Sequence, residues 1–242
     1  MKLLDTTELL SDIKLSDVAG SSENYGRNLL YYLYFMDDME RFYKEKNIPE
    51  EILIDTAKDI VRWSETHYEV HSKLGLSETV WLSNHLNGKI FKLGRLQFDF
   101  GEFKNGYNEY NIAKGEKRIG VHIPSDGPLK EELCIVSFNY AREFFAKYFP
   151  EYEYKYFTCY SWLNDDTLDK YSSETSNITK FRRLFTVIDG FESDDIIKYT
   201  FRWDKTRENT KEFEPTSRFA KAIKEAVLGG EKFYVRLGII EK

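Results

Sequence analysis

Apolar residues recur at intervals of three and four through the first third of the chain, the spacing of one helix face. In SENYGRNLLYYLYFMDDMERFYKEKN, Leu29, Leu33, Met36 and Tyr43 fall near that spacing, and Ser22 stands where an N-cap belongs. PEEILIDTAKDIVRWSETHYEVHSKLG opens on Pro49 with Glu50 and Glu51 in its first turn. It repeats Ile52, Thr56, Ile60 and Trp63 about once per turn and meets Gly75, which predicts a second helix. SETVWLSNHLNG, between Ser77 as cap and Gly88 as stop, predicts a short third one. From residue 89 the period shortens. KIFKLGRLQFDFGEF alternates through Ile90, Lys92, Arg95, Gln97 and Asp99, and KRIGVHIP is a second strand candidate. The polar KNGYNEYNIAKGE between them reads as a loop or hairpin. GPLKEELCIVSFNYAREFFAKYF places Leu129, Leu133, Val136, Tyr140, Phe144 and Tyr148 on one helical stripe, with acidic residues in the first turn and Lys147 in the last. YEYKYFTCYSW predicts an aromatic strand, NITKFRRLFTV a helix or strand, and DDIIKYTFRW a further strand. TSRFAKAIKEAVLGG predicts a helix capped by Thr216 and stopped by Gly229, before a last strand in KFYVRLGIIE. Helices first, then strands with interposed helices, predict an α/β (α+β) chain: a helical N-terminal domain, 1–88, packed on a mixed-sheet domain with flanking helices, 89–242.

Composition narrows the function classes. The chain has 242 residues, 41% apolar and 16% aromatic, enough for a sizeable core and against disorder. A net charge of −6 gives no basic patch for nucleic acid or an anionic membrane. Acidic residues interrupt the only apolar run of MKLLDTTELLSDIKLSD, unlike a secretory signal, and no apolar run approaches the roughly 20 residues of a membrane span. Cys134 and Cys159 form no CxxC pair and too small a set for a tetrahedral metal site. The expectation is a soluble cytoplasmic protein with reduced thiols and a small-molecule substrate, without nucleic-acid or membrane partners; a homodimer is left open.

The stretch RIGVHIPSDGPLKEEL joins a strand to a helix start, where unpaired amides and the helix dipole favour an anion. Gly127 allows close backbone approach, and Ser125 or Asp126 can cap the helix. The alternative is a well-capped connection and nothing more. His122, between Val121 and Ile123, is a structural histidine or a general base. Cys159 and Ser161, two apart on a strand, share one face, as a nucleophilic rim or as a buried thiol and a satisfied hydroxyl. Arg95 and Gln97 share a polar strand face that lines a cleft or meets solvent. His67 and His71 share a helix face without the third ligand a metal needs.

Several stretches, in order, match a known pattern: DTAKDIVRW (55–63), GLSETVWLSNHLNGKIFKLGRLQF (75–98), VHIPSDGPL (121–129), REFFAKYFPEY (142–152), FTCYSWLND (157–165), SNITKF (176–181) and EPTSRFAKAI (214–223). Over roughly residues 50–242 they resemble bacterial acyltransferase-domain proteins with a helical N-acyltransferase N-terminal region and a GNAT-like C-terminal domain. GRLQF, VHIP…GPL and FTC-SWL are the most specific parts. The resemblance implies a GNAT-type fold in which IGVHIP is the central strand and SDGPLKEEL the loop and helix start that hold the pyrophosphate of coenzyme A. YKYFTCYSW would be the next strand, splayed from the first to make the acyl and pantetheine cleft, and NITKFRRLFTVIDGF is similar to a later helix of that fold. The implied activity is transfer of an acyl group from acyl-CoA, acetyl-CoA or longer, to an amine, without a metal. His122 would be the base or a substrate-positioning group, with Cys159 and Ser161 as further catalytic candidates lining the cleft. Ser125, Asp126, Gly127, Leu129 and Lys130 would hold the cofactor phosphate, and Arg95 and Gln97 the opposite wall. The loop has one Gly and a Pro where the GNAT signature Arg/Gln-x-x-Gly-x-Gly/Ala would stand. That departure supports a non-catalytic, GNAT-shaped binding protein as the alternative, and a Cys/His hydrolase is a third reading.

Overall fold

Large aromatic side chains with a polar tip, more than leucines, decide which helix faces turn inward in the N-terminal unit. The computed structural model describes residues 24–242, and the chain divides into two compact units, Met1–Ile90 and Phe91–Lys242. In the first unit, the segment expected as one helix forms two, α1 (Tyr25–Tyr34) and α2 (Met36–Glu45), joined at Phe35. The Asn24 side chain caps α1 by accepting from the Arg27 amide at 3.1 Å; the expected cap Ser22 lies outside the described residues. The buried stripe is Asn28, Tyr32, Phe35, Met39 and Tyr43, whereas Leu33, expected inside, is 56% exposed. The tyrosines are tolerated inside because their hydroxyls are paired: Tyr32 donates to the Thr79 carbonyl and Tyr43 to Thr56 Oγ1.

Helix α3 (Glu50–His71) ends earlier than expected, at Ser72, which takes the left-handed conformation at φ 54°. Helix α4 (Thr79–Leu86) follows Glu78 rather than a Ser77 cap, since the Ser77 hydroxyl lies 2.6 Å from His67 Nδ1. Asp59, buried on α3, joins the two helices: it meets Arg62 Nη1 at 3.1 Å, His85 Nε2 at 3.0 Å and the Trp81 indole N–H at 3.2 Å. A buried carboxylate persists only with such partners.

The second unit is built on a six-stranded sheet of order β1-β2-β3-β4-β6-β5. The strands are β1 (Ile90–Leu93), β2 (Leu96–Glu102), β3 (Lys117–His122), β4 (Tyr156–Ser161), β5 (Thr186–Glu192) and β6 (Tyr234–Glu241). The alternating stretch at its start is a hairpin. Gly94, at φ 72°, makes the turn with Arg95, and the alternation slips by one residue there. Helix α5 (Glu131–Tyr148) crosses from β3 to its parallel neighbour β4. It buries Cys134, Ser137, Phe138, Ala141, Phe144 and Phe145 and leaves Leu133 and Val136 exposed, so its inner stripe lies one residue off the expected one. The rings decide this register: Phe138 packs at 5.8 Å on Phe98 and 5.2 Å on Phe157, and Phe145 at 5.3 Å on Phe100.

Short helices α6 (Asn177–Arg182) and α7 (Asp195–Thr200) flank β5. The segment DDIIKYTFRW is therefore helical, not a strand. Adjacent Ile196 and Ile197 are both buried, with Leu168, Ile223, Val227 and Phe233, where a strand would turn one of them away. Helix α8 (Arg218–Leu228) is capped by Ser217, one residue after the expected Thr216, with its Oγ accepting from the Ala220 amide at 3.1 Å.

The hairpin turn is fastened to α5 by one hydroxyl. Ser137 Oγ accepts from the amides of Arg95 at 2.7 Å and Leu96 at 3.2 Å. Ser137→Ala strands both donors, and the expected cost is about 2 kcal/mol. Urea unfolding checks it; an unchanged midpoint would show that the turn is held by other means.

Candidate functional site

A parallel strand pair that stops early creates the opening in the sheet. β3 and β4 are paired only from Arg118–Tyr156 to Gly120–Thr158. Beyond that point β3 still pairs with β2, as far as His122 opposite Gln97, and β4 still pairs with β6, as far as Ser161 opposite Arg236. Each strand is held from its outer side, so the two diverge and their facing edges no longer hydrogen-bond to each other.

Register also sorts the side chains. Residues directly opposite one another point to the same face, and alternate residues to the other. One face carries Gln97 and Asp99 of β2, Arg118 and His122 of β3, and Thr158 and Tyr160 of β4. The other carries Phe98, Ile119, Val121, Phe157, Cys159 and Ser161 and packs on α5.

On the first face His122 Nε2 lies 3.1 Å from Asp99 Oδ1, and Arg118 Nη1 lies 3.6 Å from the same oxygen. The His122 side chain is 34% exposed and that of Asp99 19%. The two groups are within hydrogen-bond reach, and the contact acts on the carboxylate through both that bond and charge. Burial pushes the Asp99 carboxyl up, yet His122 and the Arg118 guanidinium outweigh it and hold the group below its ordinary value. Gly120 makes the arrangement possible, because a Cβ there would collide with both Asp99 Oδ1 and Arg118 Nη1. Gln97, buried, stands beside His122 in the neighbouring strand. Across the opening, Tyr160 is 46% exposed on the diverging half of β4. Its hydroxyl interacts with that of Tyr107, which donates to Asp189 Oδ2 at 2.7 Å.

The α5 face is different in character. Cys159 is fully buried, and burial pushes its thiol up to about 12. Ser161 Oγ accepts from the Leu163 amide at 3.1 Å, capping the turn after β4. Cys159 and His122 thus project from opposite faces of the sheet. No Cys–His pair is assembled here, and a neutral buried thiol is a poor nucleophile.

The loop between β3 and α5 is longer than expected. The helix begins at Glu131 after Lys130, without a side-chain cap, so neither Ser125 nor Asp126 caps it. Asp126 instead pairs with Lys92 Nζ at 3.0 Å and Arg95 Nη1 at 3.2 Å. Ser125, Gly127 and Lys130 are exposed and Leu129 half-buried. A Cβ on Gly127 would meet nothing within 4 Å. Arg95 lies against this loop, its guanidinium turned to loop oxygens. Among the described residues no group of three or more His, Cys, Asp or Glu is placed to hold a metal. The His67 and His71 rings lie 4.4 Å apart and tilted to each other, with Tyr25 4.8 Å from His67.

Family comparisons fit this geometry. Residues 3–88 match the N-acyltransferase N-terminal domain, and residues 90–240 match the GNAT-like C-terminal domain. The chain belongs to this GNAT-like acyltransferase family. Two crystal structures that the GNAT-like chain resembles share 26% identity and a TM-score of 0.80, over 92% of this chain and 68% of theirs. One is a mutant acyltransferase in complex with octanoyl-CoA, the other an acyltransferase in complex with decanoyl-CoA and teicoplanin. A third, an acyltransferase with decanoyl-CoA, is 29% identical with a TM-score of 0.78, over 88% of this chain and 65% of its own. No curated protein matches. No helix among the described residues is long and apolar enough to cross a membrane.

Asp99, Arg118, Tyr160 and the Tyr107–Asp189 pair were not singled out from sequence. Asp99 alone left a signal, as the next residue on the strand face that carries Gln97.

Two outcomes follow for the GNAT-like domain. The folded Asp99 carboxyl titrates below its ordinary value, so its stabilising contribution is complete above about pH 4 and is lost as pH falls through the folded value. Urea unfolding through this acid range is expected to fall less steeply for Asp99→Asn than for the wild type; parallel curves would refute the pairing. Iodoacetamide is expected to label folded Cys159 at least ~100-fold more slowly than a free thiol. Rapid labelling without unfolding would revive a nucleophilic role.

Proposed function

We propose that the chain transfers an acyl group from acyl-CoA to an amine acceptor, with the chemistry in its second domain, residues 89–242. The observation that carries this reading is the divergence of β3 and β4 after their short parallel pairing, with the His122–Asp99 pair at its edge. In the proposed reaction the amine nitrogen attacks the thioester carbonyl, forming the C–N bond and a tetrahedral intermediate. The C–S bond then breaks and the sulfur leaves as coenzyme A. The amine must also shed a proton. His122, partly exposed and oriented by Asp99, is suited to take it. Gln97 would help to orient the acceptor, and the exposed loop from Ser125 to Lys130 would meet the cofactor phosphates. Octanoyl- and decanoyl-CoA, the ligands of the similar structures, are the first donors to try. Two free, buried cysteines and a coenzyme A donor support a cytoplasmic setting.

A non-catalytic acyl-CoA binder is favoured by one observation. The loop carries Pro128, which has no N–H, and the Asp126 carboxylate, so it offers fewer donors to a phosphate than a glycine-rich one.

Calorimetry with octanoyl- and decanoyl-CoA, followed by coenzyme A release with an amine panel, tests both. His122→Ala is expected to lower kcat by ~10²–10⁴-fold while acyl-CoA affinity stays within about twofold. No heat of binding at about 1 mM ligand would sink the acyltransferase reading. Binding without turnover on any amine would leave the binder.

A further inference from the structure

We propose that Arg95 is a positioning residue for acyl-CoA binding, one that holds the loop between β3 and α5 in its phosphate-accepting shape without itself touching the cofactor; this rests on the acyl-CoA reading above. Its guanidinium makes a planar fork under the loop. Nε donates to the Pro128 carbonyl at 3.0 Å, Nη1 to the Pro124 carbonyl at 2.8 Å and Nη2 to the Gly127 carbonyl at 2.8 Å. Nη1 also reaches Asp126 Oδ1 at 3.2 Å. The side chain is only 8% exposed. Lys92, 7% exposed, takes the other Asp126 oxygen at 3.0 Å, and it donates to the carbonyls of Gly94 at 2.7 Å and Arg95 at 3.0 Å. The Arg95 amide in turn donates to Ser137 on α5. One residue therefore ties together the β1–β2 turn, the helix that follows the loop, and the loop itself.

The direction of these bonds matters. In a trans peptide the N–H points opposite to the C=O of the same unit. Drawing the Pro124 and Pro128 carbonyls down to Arg95 turns the amides of Ser125 and Leu129 the other way. Neither amide donates to a backbone carbonyl among the described residues. The Gly127 carbonyl belongs to the unit whose nitrogen is Pro128, so pulling it inward sacrifices no donor. With three carbonyls drawn off the outer side, the loop can present N–H groups to an anion without the glycines that usually allow it. Lysine cannot replace this arginine, because an ammonium is a point donor without the fixed fork of N–H groups that reaches three separate carbonyls.

The test compares the wild type with Arg95→Lys, using octanoyl-CoA and the octanoyl thioester of N-acetylcysteamine, which has no pyrophosphate. Arg95→Lys is expected to raise KM for octanoyl-CoA by ~10-fold or more with kcat within about twofold, and to weaken coenzyme A itself similarly in calorimetry. The value of kcat/KM for the short thioester is expected to stay within about twofold. An equal loss with both donors would make Arg95 merely structural and overturn the inference, as would an unchanged coenzyme A affinity in the variant. If Arg95→Lys yields no folded protein, Ser137→Ala carries the test: it frees the Arg95 amide from α5 without changing any charge, and about a threefold rise in KM for octanoyl-CoA alone is expected. No selective rise there would overturn the inference. A wild type that binds no coenzyme A removes the acyl-CoA reading and this inference with it.

Discussion

Beyond Gly120 and Thr158, β3 and β4 give up their hydrogen bonds to each other while each remains held by an antiparallel neighbour on its outer side. A sheet would ordinarily close such a gap, since unpaired strand edges are costly unless something meets them. Here the outer pairings extend to His122 and Ser161, the ends of the two strands, and hold them apart. The opening, the exposure of His122 and Tyr160, and the placing of the loop before α5 all follow from that short parallel contact.

The two faces of the sheet then divide the chemistry between them. The α5 face is filled by rings: Phe98, Phe138 and Phe157 lie within 6 Å of one another, and Cys159 on the same face is fully buried. Burial keeps that thiol neutral and unreactive. On the opposite face Asp99, Arg118 and His122 are partly exposed and held together as charged and polar partners. Arg118 crosses Gly120 to reach Asp99, and Asp99 meets His122. On the same face Leu237 and Ile239 of β6, opposite Tyr160 and Thr158, form a buried cluster with Phe103 and Ile112, so the polar group borders a packed surface. A reactive histidine needs such a setting, enough burial to hold its carboxylate partner and enough exposure to meet a substrate.

Under the proposed acyl-CoA reading, the loop builds an anion-facing backbone without the usual glycines. Glycine-rich loops reach this shape through conformational freedom. Here cationic side chains impose it from below, with Arg95 on loop carbonyls and Lys92 on Asp126. The cost is a dependence on parts of the chain distant in sequence, since Asp126 and Arg95 meet across 31 residues.

The alternation and helical spacing of the sequence determined most elements and their order, including the strand, loop and helix from Lys117 to Tyr148. The motifs there located the loop and His122. Those signals are local: they depend on neighbours two to four residues apart. Tertiary structure alone decided the phase slip at Gly94, the one-residue rotation of α5 and the helical state of Asp195–Thr200, because each is set by what the segment packs against. It alone paired Asp99 with His122, turned Cys159 to the opposite face and brought Arg95 beneath the loop. Strand register and burial arise between segments far apart in the chain, and no local period encodes them.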